Sequence, residues 1–170
     1  MTTEYLLGKE VDRVLAALMP QNRLIMEVAL HTGLRISDIL TLRPDQIKPQ
    51  GWITEGKTGK RRQYGLPADL LRQIKAQSGK EWAFEGRNGT NHKSRQAVWA
   101  DVKRAAKAFR LPQNVGPHSF RKVYAVRLME KYGDIDRVKK ALNHSSPAVT
   151  QIYAMADILL ERKLARKRKV

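Results

Sequence analysis

The stretch 116–153 constrains the fold most strongly, because it contains the start and stop signals of two consecutive helices. Pro117 is typical of the first position of a helix, and Gly133 is typical of the position just past its end. Asp134 is a suitable N-cap for a second helix that runs to Leu142. The pattern therefore predicts two successive helices in this part of the chain.

The same stretch carries four side chains suited to phosphate chemistry: His118, Arg121, His144 and Tyr153. His118 and Arg121 are three residues apart at the start of a predicted helix, so they share one face. Arginine binds a phosphate in two places, histidine donates to phosphate oxygens or moves a proton, and a tyrosine oxygen is a nucleophile. An H-x-x-R pair and a single tyrosine are also common in proteins without such a site, so the rest of the chain must decide.

The charge balance points to a polyanionic partner. The 170 residues include 33 Lys and Arg against 16 Asp and Glu, a net charge of +17. Nucleic acid is the most common partner of such a chain, although ribosomal-type and membrane-surface proteins are also basic. The sequence has no cysteine, no H-E-x-x-H motif and no P-loop, so it predicts no disulfide, no metal and no other cofactor.

The sequence contains no targeting or membrane-spanning pattern. No stretch approaches the roughly 20 apolar residues that cross a bilayer. Residues 1–10 lack the basic and then apolar pattern of a signal peptide. These features predict a cytoplasmic protein, associated with the nucleoid of a bacterial or phage-infected cell, with no membrane partner.

Apolar spacing predicts helices over 9–19 and 22–31, with Pro20 opening a turn and Gly33 ending the second helix. Ser37 is expected to cap a short third helix.

Arg35 stands between two apolar neighbours just before that cap, so its charge needs a partner or a ligand. One interpretation is a local structural bridge between Arg35 and Asp38; the other is a binding role.

A β-hairpin is predicted next, with strands over 46–54 and 61–67 around the turn 55–60. This hairpin is expected to present four cations together: Lys57, Lys60, Arg61 and Arg62. They form either a solvated basic turn or a loop along a phosphate backbone, with one lysine reaching a leaving oxygen.

The remaining pattern predicts a helix over 68–77, a short strand over 81–84, a polar loop over 86–94 and a long helix capped by Ser94. A short helix is expected from Ser145 towards Tyr153, followed by an amphipathic basic tail. The predicted fold class is mainly α with a small antiparallel β-sheet (α+β), as a single domain over 1–170.

Five blocks of sequence, in order, resemble the catalytic domain of tyrosine recombinases, the phage integrase family. The blocks are T-G-L-R-I-S-D at 32–38, G-K-T-G-K at 56–60, H-S-F-R at 118–121, L-N-H-S at 142–145 and Tyr153. One block alone is weak evidence, whereas five in order on a basic chain are specific. The resemblance implies the tyrosine recombinase catalytic-domain fold, of the DNA breaking–rejoining enzyme type.

The resemblance also implies roles for single residues. Arg35 and Arg121 would bind the scissile phosphate, and His118 and His144 would donate hydrogen bonds to its oxygens. His118 would also take part in proton transfer.

Lys57 would protonate the departing 5′-oxygen, with Lys60 an alternative three residues away. Tyr153 would attack phosphorus and hold the 3′ end covalently, and Asp38 would be a support residue.

Two departures from the family pattern stand out. Asn143 replaces the usual glycine before His144, which bears on the geometry of that turn. Family members usually carry a core-binding domain and often an arm-binding domain ahead of the catalytic domain, and neither is expected within 1–170. The chain is thus expected to be an excised catalytic fragment or a compact recombinase.

The sequence therefore predicts a site-specific DNA recombinase of the integrase or invertase type that works through a 3′-phosphotyrosine, without metal or ATP. Its partners would be double-stranded DNA, three further copies in a tetramer on paired sites, and DNA-bending accessory proteins. The alternatives are a type IB topoisomerase-like enzyme, which cuts and reseals one strand, and a non-catalytic DNA-binding regulator on the same fold.

Overall fold

The computed structural model of the chain describes residues 4–143. The helices are α1 (Gly8–Ala17), α2 (Pro20–Thr32), α3 (Ile36–Leu40), α4 (Ala68–Gln77), α5 (Arg95–Ala108), α6 (Pro117–Tyr132) and α7 (Ile135–Leu142). A 3₁₀ turn spans Pro44–Gln46, and the strands are β1 (Gln50–Thr54) and β2 (Arg61–Gly65). The predicted fold class, mainly helical with a small antiparallel sheet, is confirmed. None of the helices in the described part of the chain is long and apolar enough to cross a membrane.

The chain divides into two compact units, residues 1–124 and 125–170. The first unit contains α1 to α5 and both strands. Helix α6 begins in the first unit and ends in the second, which also contains α7.

Helix α2 lies at the centre of the first unit, where it contacts α1, α3, α4 and β2. A helix surrounded in this way is apolar on most sides. Its buried apolar residues are Leu24, Ile25, Met26, Val28, Ala29 and Leu30. Helix α5 contacts α1 and α3 and completes the core through buried Val98 and Val102.

The two strands pair antiparallel, with Gln50 opposite Gly65 and Thr54 opposite Arg61. Alternate residues of each strand are buried, as the period of two requires. Ile53 and Arg62 face each other across the ladder, and both are buried. The predicted hairpin is confirmed, although the first strand starts later and the second ends earlier than expected.

Sequence signals located several helix ends correctly. Helix α4 has the predicted bounds. The Ser94 hydroxyl accepts the N–H of Ala97 at 3.1 Å, which confirms it as the N-cap of α5. Gly33 ends α2 in the left-handed conformation, with φ 61°.

The prediction of Ser37 as an N-cap is wrong. Helix α3 begins at Ile36, and Arg35 occupies the N-cap position. The Arg35 carbonyl accepts the N–H groups of Asp38 at 2.9 Å and Ile39 at 3.0 Å. The extended backbone at Arg35 therefore places the N-cap two residues before the predicted one, and Ser37 lies inside the helix.

The predicted strand over 81–84 is also wrong. The structure has only an isolated bridge between Glu85 and His92 in this neighbourhood. Ala83 and Phe84 are adjacent and both fully buried, so the segment does not alternate as a strand does. Its backbone bonds irregular neighbours instead, for example the N–H of Ala83 to the carbonyl of Leu42 at 2.9 Å.

In the second unit, capping defines α7 at both ends. The Asp134 carboxylate accepts the N–H groups of Asp136 at 2.9 Å and Arg137 at 3.3 Å, as predicted for an N-cap. Asn143 ends the helix with φ 50° and ψ 39°. Asparagine is the residue that tolerates this left-handed conformation best after glycine. Asn143 therefore preserves the turn expected of the family's glycine.

His144, Tyr153, the helix predicted from Ser145 and the basic tail lie outside the described residues.

Candidate functional site

The site is built on the left-handed residue that ends α2. At Gly33 the chain turns sharply, so that Arg35 follows at the start of α3. A Cβ at Gly33 would lie 2.2 Å from Cδ1 of the Tyr124 ring. Glycine is thus required both by the backbone conformation and by the close approach of that ring.

Arg35 bonds a distant carboxylate rather than its neighbour. Its Nη1 donates to Oε2 of Glu55 at 2.7 Å, and the Arg35 side chain remains 11% exposed. Asp38 instead accepts the N–H of Gly56 at 3.0 Å through Oδ1. The interpretation of Arg35 and Asp38 as a local ion pair is therefore wrong, because the hairpin supplies the partner of each.

Glu55 follows β1 directly, and its side chain is fully buried. Burial alone would raise its pKa. Hydrogen bonds from Arg35 and Thr58 and the charges of Arg35 and Arg62 outweigh burial, so the pKa of Glu55 lies below its usual value. The carboxylate therefore stays ionised at neutral pH.

Two further guanidinium groups share one backbone carbonyl. Nη1 of Arg62 donates to the carbonyl of Gly33 at 3.1 Å and to Oε1 of Glu55 at 3.4 Å. Nη1 of Arg121 donates to the same Gly33 carbonyl. Each of these two arginines is only 5% exposed. The expectation that Arg62 is presented with the exposed hairpin cations is wrong, since its strand position turns it inward.

We call Arg35, Arg62 and Arg121, together with the buried carboxylates of Asp38 and Glu55, the arginine cluster. Burial, followed by the charges of Arg35 and Arg62, lowers the pKa of Arg121 to about 10. Three guanidinium groups face two carboxylates, which leaves one excess positive charge in a partly dry site. Such a site favours an anion whose oxygens each accept hydrogen bonds, such as a carboxylate or a phosphate.

His118 lies at the rim of the arginine cluster on the first turn of α6 and is exposed. Partial desolvation lowers its pKa, and the charges of Arg121, Lys122, Arg35 and Lys57 lower it further. The imidazole is therefore neutral at pH 7 and offers one N–H donor.

Lys57 is exposed at the tip of the hairpin, and its charge acts on His118. Lys60 is also exposed, and its backbone N–H donates to the Thr58 hydroxyl at 3.3 Å. The described structure thus brings together Arg35, Lys57, His118 and Arg121 of the predicted set. The roles of these four residues remain predictions.

Sequence reasoning did not single out Glu55, and it placed Arg62 on the exposed turn instead of in the core. One signal was available: Arg62 precedes Tyr64 and Leu66 by two and four residues, so a strand places all three on one face. Tyr64 and Leu66 are buried, and so is Arg62. A buried strand arginine requires a buried anion opposite, and Glu55 lies on the inward face of β1 just beyond Ile53.

The arrangement of the helices and the hairpin is the fold of tyrosine recombinase catalytic domains. The catalytic domain of bacteriophage HP1 integrase has the same fold, with a TM-score of 0.69 and 24% identity over 96% of this chain and 95% of that domain.

The phage integrase family model matches residues 4–158, so the chain belongs to the phage integrase family. It is 29% identical over 155 residues to "Probable integrase/recombinase YoeC" of Bacillus subtilis (strain 168), covering 88% of this chain and 85% of that one. It is 32% identical over 154 residues to tyrosine recombinase XerD of Corynebacterium glutamicum, covering 83% of this chain and 51% of XerD. The chain thus spans nearly all of the Bacillus protein but about half of the Xer relatives.

Proposed function

We propose that the chain is the catalytic domain, over 1–170, of a site-specific DNA recombinase that cuts and rejoins strands through a 3′-phosphotyrosine. The observation that carries the proposal is the arginine cluster, with His118 and Lys57 beside it. Family membership and the recombinase names of the relatives favour this function over a topoisomerase or a non-catalytic regulator.

The arginine cluster suits the transition state of phosphoryl transfer. Negative charge accumulates on the phosphate oxygens as phosphorus becomes pentavalent, and Arg35 and Arg121 would stabilise it in a site of low dielectric constant. Preorganised donors of this kind typically contribute several kcal/mol, and removing one costs about 10²–10³-fold in rate. Glu55 and the Gly33 carbonyl hold the guanidinium groups before DNA arrives.

The proposed reaction exchanges one phosphoester bond for another. The Tyr153 oxygen attacks the scissile phosphorus and gives its proton to the neutral imidazole of His118, while the bond from phosphorus to the 5′-oxygen breaks. Lys57 gives a proton to that oxygen. Phenol has a pKa of about 10, so its phenolate lies roughly 4 kcal/mol uphill at pH 7, which the cluster must offset. Attack by another strand's 5′-hydroxyl reverses these steps and rejoins the DNA without ATP.

His118 and His144 complete the proposed site as donors to the non-bridging oxygens. The lowered pKa of His118 keeps its imidazole neutral near pH 7. A neutral ring donates through one nitrogen and accepts through the other, so it can also relay a proton.

The proposed partner is double-stranded DNA, which the net charge of +17 favours. XerH, a recombinase of this fold, was solved bound to its difH substrate. A tetramer on paired sites and DNA-bending accessory proteins belong to the same proposal, as does a place at the nucleoid in the cytoplasm of a bacterial or phage-infected cell.

The test is covalent trapping on nicked suicide duplexes, read on a denaturing gel. The parent chain should form a protein–DNA adduct, and Tyr153→Phe should form none, because only the phenol oxygen is removed. Tyr132→Phe is the matched control, since Tyr132 is an exposed tyrosine at the end of α6. An adduct that persists in Tyr153→Phe would overturn the assignment, and tight DNA binding without any adduct would favour the regulator.

A further inference from the structure

Glu55 uses both of its carboxylate oxygens inside the protein. Oε2 accepts Nη1 of Arg35 at 2.7 Å and the hydroxyl of Thr58 at 2.8 Å. Oε1 accepts Nη1 of Arg62 at 3.4 Å. One carboxylate thus bonds an arginine proposed to bind phosphate and the residue that directly follows Lys57.

The backbone of Glu55 also closes the hairpin turn. Its N–H donates to the carbonyl of Lys60 at 3.0 Å, and its carbonyl accepts the N–H of Gly59 at 2.8 Å. Side chain and backbone therefore restrain the turn that carries Lys57, while Arg35 is restrained by the same oxygen that holds Thr58. A displacement of Glu55 would move both groups.

A fully buried carboxylate is costly unless its charge is needed, and apolar residues of similar volume often replace buried ion pairs without loss of stability. A neutral side chain at position 55 could still close this turn. The Thr58 hydroxyl needs only an uncharged acceptor, and the two backbone hydrogen bonds of Glu55 do not involve its side chain. The ionised state is needed by Arg35, which the proposed function places on the scissile phosphate, and by the buried Arg62 on the other carboxylate oxygen. The charge of Glu55 is thus better explained by the site than by the fold.

We propose that Glu55 is a positioning residue that fixes the phosphate-binding arginine, Arg35, in register with the turn that presents the general acid, Lys57. The inference rests on the proposed function. Glu55 itself does not touch the reacting atoms; it acts through Arg35 on the non-bridging oxygens and through Thr58 on the leaving oxygen.

Two modified substrates distinguish the effect through Arg35 from the effect through Thr58. Each modification is placed at the phosphate that the trapping experiment identifies as the cleavage site. A methylphosphonate removes the charge of a non-bridging oxygen, so it needs Arg35 less. A 5′-bridging phosphorothiolate has a leaving group that needs no proton, so it needs Lys57 less. Glu55→Gln should slow single-turnover cleavage of normal DNA by about 10²-fold, the scale of a small misplacement. The loss should shrink on each modified substrate, while DNA affinity stays equal or rises.

Thr58 provides a variant that keeps the buried ion pairs intact, and it is exposed. Thr58→Val should slow cleavage of normal DNA by about tenfold, and the loss should vanish on the phosphorothiolate but persist on the methylphosphonate. Thr58→Ser keeps the hydroxyl and should match the parent. An equal loss by Glu55→Gln or Thr58→Val on all three substrates would show a structural role and overturn the inference.

Failure of the inference and failure of the proposed function give different results. If the parent cleaves and Glu55→Gln cleaves equally fast, only the inference is wrong. If the parent forms no adduct, the proposed function is wrong, and nitrogen-15 NMR of the arginine side chains judges Glu55 alone. A rigid Arg35 guanidinium in the parent that becomes mobile in Glu55→Gln supports positioning, and equal mobility in both overturns it.

Discussion

At the scale of single residues, Gly33 constrains the arginine cluster in three ways. Its carbonyl accepts two guanidinium groups, its φ of 61° turns the chain towards Arg35, and the Tyr124 ring covers the place of a Cβ. These three demands coincide at one position, so any side chain there disturbs the arginine cluster.

Gly33→Ala should therefore destabilise the protein by about 3 kcal/mol, of which about 1–2 comes from the left-handed backbone and the rest from overpacking against Tyr124. Gly59→Ala is the control, since Gly59 has φ 65° and open space around it. It should lose only the backbone part. Urea unfolding of both variants measures the difference, and equal losses would contradict the packing argument.

Lys57 and Lys60 can be told apart by chemistry. Lys57→Ala should slow cleavage of normal DNA by about 10²–10⁴-fold, the usual scale of general acid catalysis, and should leave the 5′-phosphorothiolate nearly unaffected. Lys60→Ala, on the same turn, should show no such selective rescue. If Lys60→Ala gives the rescue pattern instead, the general acid has been assigned to the wrong lysine.

The residue scale also shows the limit of local sequence patterns. The motif blocks indicate Arg35, Lys57, His118 and Arg121, because these motifs consist of residues expected to contact a ligand. Pairing Arg35 with Asp38 is wrong because it relies on nearness in sequence, whereas Glu55 is 20 residues away and meets Arg35 only in the folded chain. The Arg35–Glu55 pair therefore follows from the fold and not from a local motif.

At the scale of elements, helix ends were predictable where a side chain or a glycine makes the cap. The Ser94, Gly33 and Asp134 ends follow from residue chemistry alone. The start of α3 is different, because extended backbone at Arg35 supplies it without a side-chain cap. The strand prediction over 81–84 is wrong for a related reason. The burial of this segment is set by the surrounding core and does not alternate along the chain.

Ser94 and Ser37 test this distinction directly. Ser94→Ala should destabilise the protein by about 1 kcal/mol, because α5 loses its side-chain cap. Ser37→Ala should change stability by less than about 0.5 kcal/mol, since Ser37 is exposed within α3. Thermal unfolding should show a fall of about 2–4 °C for the first variant and almost none for the second. A larger loss for Ser37→Ala would restore it as the cap.

At the scale of the whole molecule, the net charge of +17 is larger than the site requires. The arginine cluster is nearly balanced, with three guanidinium groups against two carboxylates. Most of the excess charge therefore lies outside it and is available to a polyanion. Under the proposed function, this charge would support DNA affinity in general, whereas the cluster would support catalysis at one phosphate.

DNA affinity should consequently fall steeply with salt. The expected slope is about 0.9 log unit per tenfold rise in salt for each phosphate contact on a duplex. Fluorescence anisotropy of a labelled duplex over a salt series measures it. Salt-independent affinity would contradict the role assigned to the basic surface.

Whether the arginine cluster activates a DNA phosphate can be measured with the variant Arg121→Lys. Lysine keeps the charge but loses the planar fork. The rate of adduct formation on nicked duplexes should fall by about 10²-fold or more while DNA binding persists. Arg127→Lys, at an exposed position of the same helix, should react like the parent. An Arg121→Lys chain that forms the adduct at the parental rate would show that the cluster does not activate the phosphate.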